Sequence, residues 1–177
     1  MNRRLVFACL LLVGCAIETP VEETEPVERP DRVVHDFELR ETLNANLDWV
    51  LRAKEARYYQ EDAFSELDGV RLEFFDADGS TTSTMTSERG KVEDGSGDMI
   101  AEGNVILIAS SGDTLTPERV HFEKTRDRIR GDQAFRLAKP DRVLTGIGFD
   151  AAPDLSDYEV KKNVRIQFRD GVQGDDL

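Results

Sequence analysis

The side chains that could carry out chemistry in this chain are few and far apart. There are two histidines, His35 and His121, two cysteines, and no Gly-x-Ser-x-Gly motif. Nucleophilic catalysis needs a nucleophile with a base within hydrogen-bonding reach, and histidines 86 positions apart suggest no such pair. Isolated histidines do not suggest a metal site either. We therefore predict no catalytic residue, no metal and no cofactor.

Carboxylates are the one abundant reactive group, with 36 Asp and Glu residues in the chain. A pair of carboxylates can hydrolyse a glycosidic bond, so a carbohydrate-active enzyme is one functional class to keep in view. Most of these residues, however, fall in turns or alternate with apolar residues as the solvated faces of strands do. The expectation is that the protein is not an enzyme.

Two glycine-containing motifs could be mistaken for ligand sites. Asp76-Ala77-Asp78-Gly79 resembles part of a calcium loop, but its glycine comes too early and no glutamate follows at the required distance. Gly146-Ile147-Gly148 lacks the third glycine and the following helix of a dinucleotide fingerprint. We predict a hairpin turn at the first motif and a strand at the second.

Cys15 is the cysteine with an interpretable context. Arg3 and Arg4 precede the nine-residue apolar run Leu5–Val13, which is too short to span a bilayer as a helix. Leu12-Val13-Gly14-Cys15 resembles the bacterial lipobox, which implies cleavage before Cys15 and attachment of lipid to it. Residues 1–14 are then a lipoprotein signal peptide. An ordinary signal peptide cleaved near Cys15 is the alternative.

The segment after Cys15 has the composition of a tether. Residues 15–30 contain three prolines and five glutamates and cannot bury enough apolar surface to fold. The whole chain has 23 basic against 36 acidic residues and a net charge of -13. This negative charge repels nucleic acid and argues against it as a partner. We expect a disordered, acidic, proline-rich linker that leads from the membrane to a folded domain.

From Val33 onward the chain alternates short apolar strands with polar turns. Gly103–Phe122 is predicted as two strands joined by a tight turn at Ser110–Asp113, and Val33, Phe37 and Leu39 share one parity. Further strands are predicted at Val70–Phe74, Thr81–Glu88, Ile129–Leu137, Val143–Phe149 and Tyr158–Phe168. Asn46–Tyr59 is ambiguous, and its residue types alone slightly favour a helix.

The order of several short patterns resembles the LptC family of lipopolysaccharide export proteins. The patterns, each weak alone, keep the family's spacing: Trp49-Val50-Leu51-Arg52-Ala53-Lys54-Glu55-Ala56-Arg57-Tyr58-Tyr59, Ser87-Glu88-Arg89-Gly90-Lys91-Val92, Gly103-Asn104-Val105, Leu115-Thr116-Pro117-Glu118-Arg119-Val120-His121-Phe122 and Leu144-Thr145-Gly146-Ile147-Gly148-Phe149. The resemblance implies an all-β fold, an open twisted β-jelly-roll of consecutive antiparallel strands over residues 31–170, followed by a polar tail at 171–177. It also implies a strand at Asn46–Tyr59.

The function implied by the resemblance is lipopolysaccharide transport. A member of this family accepts lipopolysaccharide from an inner-membrane ABC transporter, whose periplasmic domains it contacts, and passes it to an LptA-like bridge. The C-terminal edge strand, Val160–Phe168 here, would pair with the LptA-like protein. Family members commonly hold the membrane with an N-terminal helix, whereas this chain is expected to use lipid on Cys15.

We expect the protein to be located on the periplasmic face of the inner membrane. The outer membrane is the alternative location. The alternative function is a structural or assembly lipoprotein of the outer membrane, with the same fold and no lipid transfer.

An apolar groove for the acyl chains is the expected ligand site. Its candidate lining consists of apolar residues that share the core-facing parity of their strands. These are Trp49, Leu51, Leu72, Phe74, Val105, Leu107, Val120, Phe122, Phe135, Leu137, Phe149, Val164, Ile166 and Phe168. For each residue, filling a closed core is the competing interpretation.

Overall fold

The computed structural model describes residues 29–169, and within them the all-β prediction is confirmed. The elements of this part of the chain are β1 (Arg32–Leu43), β2 (Asn46–Tyr59), β3 (Phe64–Phe75), β4 (Thr81–Glu93), β5 (Met99–Glu102), β6 (Ile106–Ala109), β7 (Thr114–Pro117), β8 (Arg119–Glu123), a 3₁₀ turn (Lys124–Arg126), β9 (Arg128–Ala138), β10 (Arg142–Ala151) and β11 (Tyr158–Phe168). The signal peptide, Cys15, nearly all of the tether and the polar tail lie outside the described residues. No helix between residues 29 and 169 has the length and apolarity needed to cross a bilayer.

All eleven strands belong to one antiparallel sheet with a branch in its middle. β1 to β4 pair in sequence order, as do β9 to β11. Between them, β4 pairs with β6 through its first half and with β5 through its second half. β6 continues to β7 and β5 to β8, and both paths rejoin on β9. Within this sheet β1 and β11 are the two outermost strands.

This branch explains where the predicted hairpin was incomplete. The turn at Ser110–Asp113 is present, and the Ala109 N–H donates to the Asp113 carbonyl at 2.9 Å. The second limb is not one strand, however, because β7 and β8 separate at Glu118 and pair with different neighbours. Pro117 has no N–H to donate and ends β7 at that break. Val105 is buried just ahead of β6.

The Asn46–Tyr59 segment is a strand, so the helical preference of its residues was overridden. β2 lies between β1 and β3 and pairs along most of its length with both. Of its residues that favour helix, Leu51, Ala53 and Ala56 are buried, whereas charged ones form ion pairs, as in the contact of Arg52 with Glu38 at 2.8 Å. Pairing on both edges therefore outweighs a helix propensity that amounts to a few tenths of a kcal/mol per residue, roughly.

The first three strands exchange their inner and outer faces at one level of the sheet. In β2, Leu51 and Ala53 are buried on one parity and Ala56 on the other. The exchange coincides with positive φ angles of 51° at Asp36 and 65° at Gly69. As a result Phe37 packs against the core, whereas Val33, predicted on the same face, is 44% exposed on the outside.

The Asp76–Ser80 segment is a turn between β3 and β4, as predicted. The Asp76 N–H donates to the Ser80 carbonyl at 3.0 Å, and the Ser80 N–H donates to the Asp78 carboxylate at 2.8 Å. The two carboxylates thus accept hydrogen bonds from the turn's own backbone.

Candidate functional site

The inner side of the sheet is a continuous apolar surface. One cluster of buried side chains draws on every strand from β2 to β10. It contains eleven of the fourteen predicted groove residues, each at most 5% exposed: Trp49, Leu51, Leu72, Phe74, Val105, Leu107, Val120, Phe122, Phe135, Leu137 and Phe149. Period-two alternation therefore located the inner face of these strands correctly.

Aromatic rings fill this interior. The Phe74 ring of β3 meets the Phe122 ring of β8 edge-on, with centroids 5.2 Å apart, and these two strands are not neighbours in the sheet. Phe135 and Phe149, on adjacent strands, make a similar contact at 5.3 Å. The rings pack closely enough that an acyl chain entering between Phe74 and Phe122 must displace side chains.

The three remaining groove candidates lie on β11, where the inner surface is uncovered. Ile166 stands opposite Leu144, which is 4% exposed and belongs to the core cluster. By alternation Val164 and Phe168 point the same way, yet Val164, Ile166 and Phe168 are 50%, 53% and 68% exposed. We call these three residues the exposed row. It extends the apolar inner surface beyond the part that the opposite wall covers.

The other outer strand repeats this arrangement on a smaller scale. Leu39 of β1 stands opposite buried Leu51 and is 38% exposed, and Phe37 stands opposite Ala53 and packs against the core. Both ends of the sheet therefore present inner-face apolar side chains that are partly in solvent. An unpaired outer strand is also a template for β-strand addition by another chain.

Two polar atoms are buried in the interior without a hydrogen-bond partner among the described residues. They are Trp49 Nε1 and Ser83 Oγ. An unpaired buried polar group costs roughly 1–3 kcal/mol. Trp49 is the only tryptophan of the chain and is 3% exposed, so its fluorescence reports directly on the interior.

The outer face of β1 to β3 is covered by paired charges. A ladder runs from Arg40 through Glu38 and Arg52 to Glu73, with Glu38 2.6 Å from Arg40 and 2.8 Å from Arg52. A hydrogen bond from Arg71 lowers the pKa of the Glu73 carboxyl, and Arg52 adds to this effect. The ladder lies over an outward-facing valine, Val50, which is only 2% exposed.

A second ladder crosses the outer face of β8 to β10. The Asp150 carboxylate accepts hydrogen bonds from Arg128 at 2.5 Å and from Arg130 at 2.6 Å, and Arg130 also pairs with Glu123. Burial raises the pKa of Asp150, but the hydrogen bonds from the two arginines outweigh burial, and the net shift is downward. The many carboxylates of this face thus hold strands together.

A buried ion pair fastens two turns at the end of the sheet. Asp113 ends the β6–β7 turn and is 6% exposed, and its carboxylate pairs with the Lys139 ammonium group after β9. The Lys139 side chain is only 15% exposed, and its Nζ lies 5.0 Å from the centre of the Tyr158 ring. The pair links the middle of the sheet to the start of β11.

Comparison with known proteins identifies the family to which this chain belongs. The sequence profile described as "Lipopolysaccharide-assembly, LptC-related" matches residues 5–169, nearly the whole chain. The chain belongs to the LptC-related family. No curated protein sequence matches this one. Membership in the LptC-related family assigns the chain a role in lipopolysaccharide transport, which takes place in the periplasm, and proteins of this type are generally not enzymes.

A solved structure supports the fold. The chain is similar to LptH from Pseudomonas aeruginosa, described as the LptA homologous periplasmic component of the conserved lipopolysaccharide transport device. The TM-score is 0.53 at 7% sequence identity, over 68% of this chain and 94% of LptH. The predicted LptA/LptC-like β-jelly-roll is thus confirmed.

The site also contains residues that the sequence interpretation did not select. Leu144, Leu115, Met85 and Ile129 are buried in the same cluster as the predicted lining. Alternation extended from Phe149 would have placed Leu144 on the outer face, because β10 exchanges its faces at Gly148, where φ is 72°. His121 points outward, with 45% of its side chain exposed.

Proposed function

We propose that this chain is a lipid-anchored, non-enzymatic carrier that accepts lipopolysaccharide from an inner-membrane ABC transporter. It passes the lipid to an LptA-like bridge protein. The fourteen apolar residues of the predicted groove contact the acyl chains, and Cys15 carries the lipid that holds the protein to the membrane. The carrier works at the periplasmic face of the inner membrane and contacts the periplasmic domains of the transporter.

The observation that carries this proposal is the continuity of the apolar inner surface from the core cluster to the exposed row. Exposure of an acyl chain to water costs about 0.8 kcal/mol per methylene, so a lipid in transit needs an unbroken apolar path. Ile166 beside Leu144 supplies the junction between the uncovered and the covered part of that path. The packed interior opens as the acyl chains advance, and the exposed row is the last part of the path before the bridge protein.

Lipid A binding tests the path directly. Lipid A is titrated into the purified protein while the fluorescence of Trp49 is followed. Ile166→Asp introduces a charge on the inner surface, and we expect it to weaken lipid A binding about tenfold. Gln167→Asp adds the same charge one residue away on the outer side, opposite Val143, and serves as the matched control.

The outcomes of this titration distinguish a lipid carrier from a structural or assembly lipoprotein. Weakening by Ile166→Asp alone supports the carrier. Equal effects of the two variants would contradict an acyl-chain path along β11. No binding of lipid A by the unmodified protein would favour the structural or assembly lipoprotein without lipid transfer.

Partner docking at β11 has its own test. A photocrosslinking residue at Val164 or Ile166 should capture an LptA-like protein in cells, because the open side of β11 is free for strand addition in the described part of the chain. The same probe at Asp132, an exposed residue of β9, is the control. Capture at Asp132 but not at β11 would count against the bridge.

The anchor is tested independently of the fold. Cys15→Ser should release the protein from membranes if Cys15 carries the acyl chains, since two or three chains are needed for stable attachment. Separation of inner from outer membranes then locates the unmodified protein. Retention of Cys15→Ser in the membrane fraction would contradict the lipid anchor.

A further inference from the structure

A cavity on the outer face of the sheet collects basic side chains in an otherwise acidic protein. It has a volume of about 290 Å³ and lies on the opposite side of the sheet from the apolar core. Four of its lining residues are basic, namely Arg119, His121, Arg130 and Lys161. We call it the basic cavity. The whole chain carries a net charge of -13, so such a concentration of positive charge is unusual for this molecule.

Strand register brings these residues together. His121 of β8 stands opposite Ile100 of β5 and opposite Arg130 of β9, so the three lie in one row across the outer face. Arg119 precedes His121 by two residues and shares its side of β8, since Val120 and Phe122 between and after them are buried. Lys161 reaches the same place from β11.

Two glycines leave bare backbone at or beside the basic cavity. Gly131 of β9 stands opposite Phe149, and a Cβ atom on Gly131 would collide with the Phe149 ring. The β9 backbone therefore lies directly against that ring on the inner side of the sheet, and Gly131 also lines the basic cavity. Gly148 has a φ of 72°, and a Cβ atom there would lie 3.1 Å from Cδ of Lys161. The Lys161 side chain thus crosses the bare backbone of Gly148.

The positive charges of the basic cavity are only partly neutralised. Arg130 is held by Glu123 and by Asp150. His121 Nε2 lies 3.8 Å from Asp98 Oδ2. Arg119 and Lys161, in contrast, form no ion pair with any residue between 29 and 169, although Glu102 stands opposite Arg119 in register.

Among the residues that line the cavity, a single carboxylate, Asp132, opposes these charges. Two free cations, one arginine in a fixed position and one histidine therefore face a common space.

We propose that the basic cavity binds a phosphate monoester. A phosphate dianion needs more than one cationic donor, and guanidinium and ammonium groups are its usual partners in proteins. A volume near 290 Å³ is close to the lower end of ligand pockets, about 300 Å³, and accommodates a phosphate with an attached sugar. Lipid A headgroups and free phosphate compounds share this chemistry. Assignment to the headgroup rests on the proposed function, whereas phosphate binding itself does not.

A phosphate site of this kind would explain how an acidic protein binds an anionic lipid. Lipopolysaccharide is anionic, and an acidic protein repels it unless the phosphates meet a local positive surface.

The experiment titrates glucosamine 1-phosphate or inorganic phosphate into the full-length protein and follows the amide resonances of His121 and Gly131 by NMR. Arg119→Gln and Lys161→Gln should each weaken binding about fivefold, in keeping with the loss of one partly exposed charged contact. Asp132→Asn removes the opposing carboxylate and should strengthen binding. Arg136→Gln is the matched control, because Arg136 is exposed on β9 and does not line the basic cavity.

A second arm compares lipid A with dephosphorylated lipid A in the same variants. If Arg119→Gln and Lys161→Gln weaken lipid A but not its dephosphorylated form, the ligand is the lipid headgroup. If they weaken only the soluble phosphates, the site serves a free phosphate compound. Absence of resonance shifts at the basic cavity with both soluble phosphates, or equal weakening by Arg136→Gln, would overturn the proposal. Failure of lipid A to bind at all would refute the carrier and leave the phosphate result intact.

Discussion

Leu107 and Ile166 both lie on the inner face of the sheet, but they meet different surroundings. Leu107 of β6 is fully buried, with strands paired on both of its sides. Ile166 of β11 has a strand on one side and is 53% exposed. Their side chains are of similar size and both belong to apolar inner rows. Alternation along a strand therefore decides which face a residue occupies. Coverage by the opposite wall of the sheet decides whether that residue fills the core or stays exposed to a ligand.

Stability measurements should separate the two regions most strongly. Phe122→Ala removes a ring packed against Phe74, and we expect a loss of about 3–5 kcal/mol in the free energy of unfolding. Phe168→Ala makes the same chemical change in the exposed row and should cost less than about 0.5 kcal/mol. Urea denaturation of both variants measures the contrast. Similar losses would mean that the exposed row is covered in solution.

The buried ion pair of Asp113 and Lys139 gives the next largest expected effect. Asp113→Ala leaves the Lys139 ammonium group in a site where only 15% of its side chain is exposed, and should cost about 3 kcal/mol. The double variant Asp113→Ala with Lys139→Met removes both charges and is expected to recover most of that loss. Urea denaturation again provides the measurement. If the double variant were no more stable than the single one, the cost would not come from an unpaired charge.

Alternation was sufficient to predict much of this fold and of its inner surface. Leu72, Phe74, Val120 and Phe122 were assigned to the correct face because each lies in a short strand with one apolar side. Alternation likewise placed Val164, Ile166 and Phe168 together on one side of β11. These features depend only on neighbours in the sequence.

Features that depend on distant strands could not be predicted in the same way. Asn46–Tyr59 contains many residues that favour helix, and only pairing with β1 and β3 makes it a strand. The split at Glu118 arises because β4 pairs with two different strands. The basic cavity has no local signal at all, since Arg119, Arg130 and Lys161 come from three strands.

An apolar residue covered only by charged side chains should contribute a stability between that of the packed core and that of the exposed row. Val50 faces outward but is 2% exposed, with Arg40 and Glu73 opposite it on the neighbouring strands. Val50→Ala should cost about 1–2 kcal/mol, since apolar area is lost beneath side chains that can relax into the space. Urea denaturation measures the loss, and Val33→Ala on the outside of β1 is the control. A loss as large as that of Phe122→Ala would show that the ladder packs as rigidly as a protein core.

The smallest expected effect is the loss of stability at acid pH that comes from the ladder around Asp150. Because its pKa is lowered in the folded state, Asp150 stabilises the fold above its unfolded pKa of about 4, and this contribution disappears as the pH falls through the lower folded value. Asp150→Asn should therefore be destabilised by about 1 kcal/mol or less at pH 7, and the difference from the unmodified protein should shrink below about pH 4. Urea denaturation across this range tests the effect, with Asp132→Asn as the exposed control. A difference that persisted unchanged at pH 3 would mean that Asp150 acts through packing. The arginines it holds would then support β8 to β10 by their stems, as Val50 is covered by the stems of the other ladder.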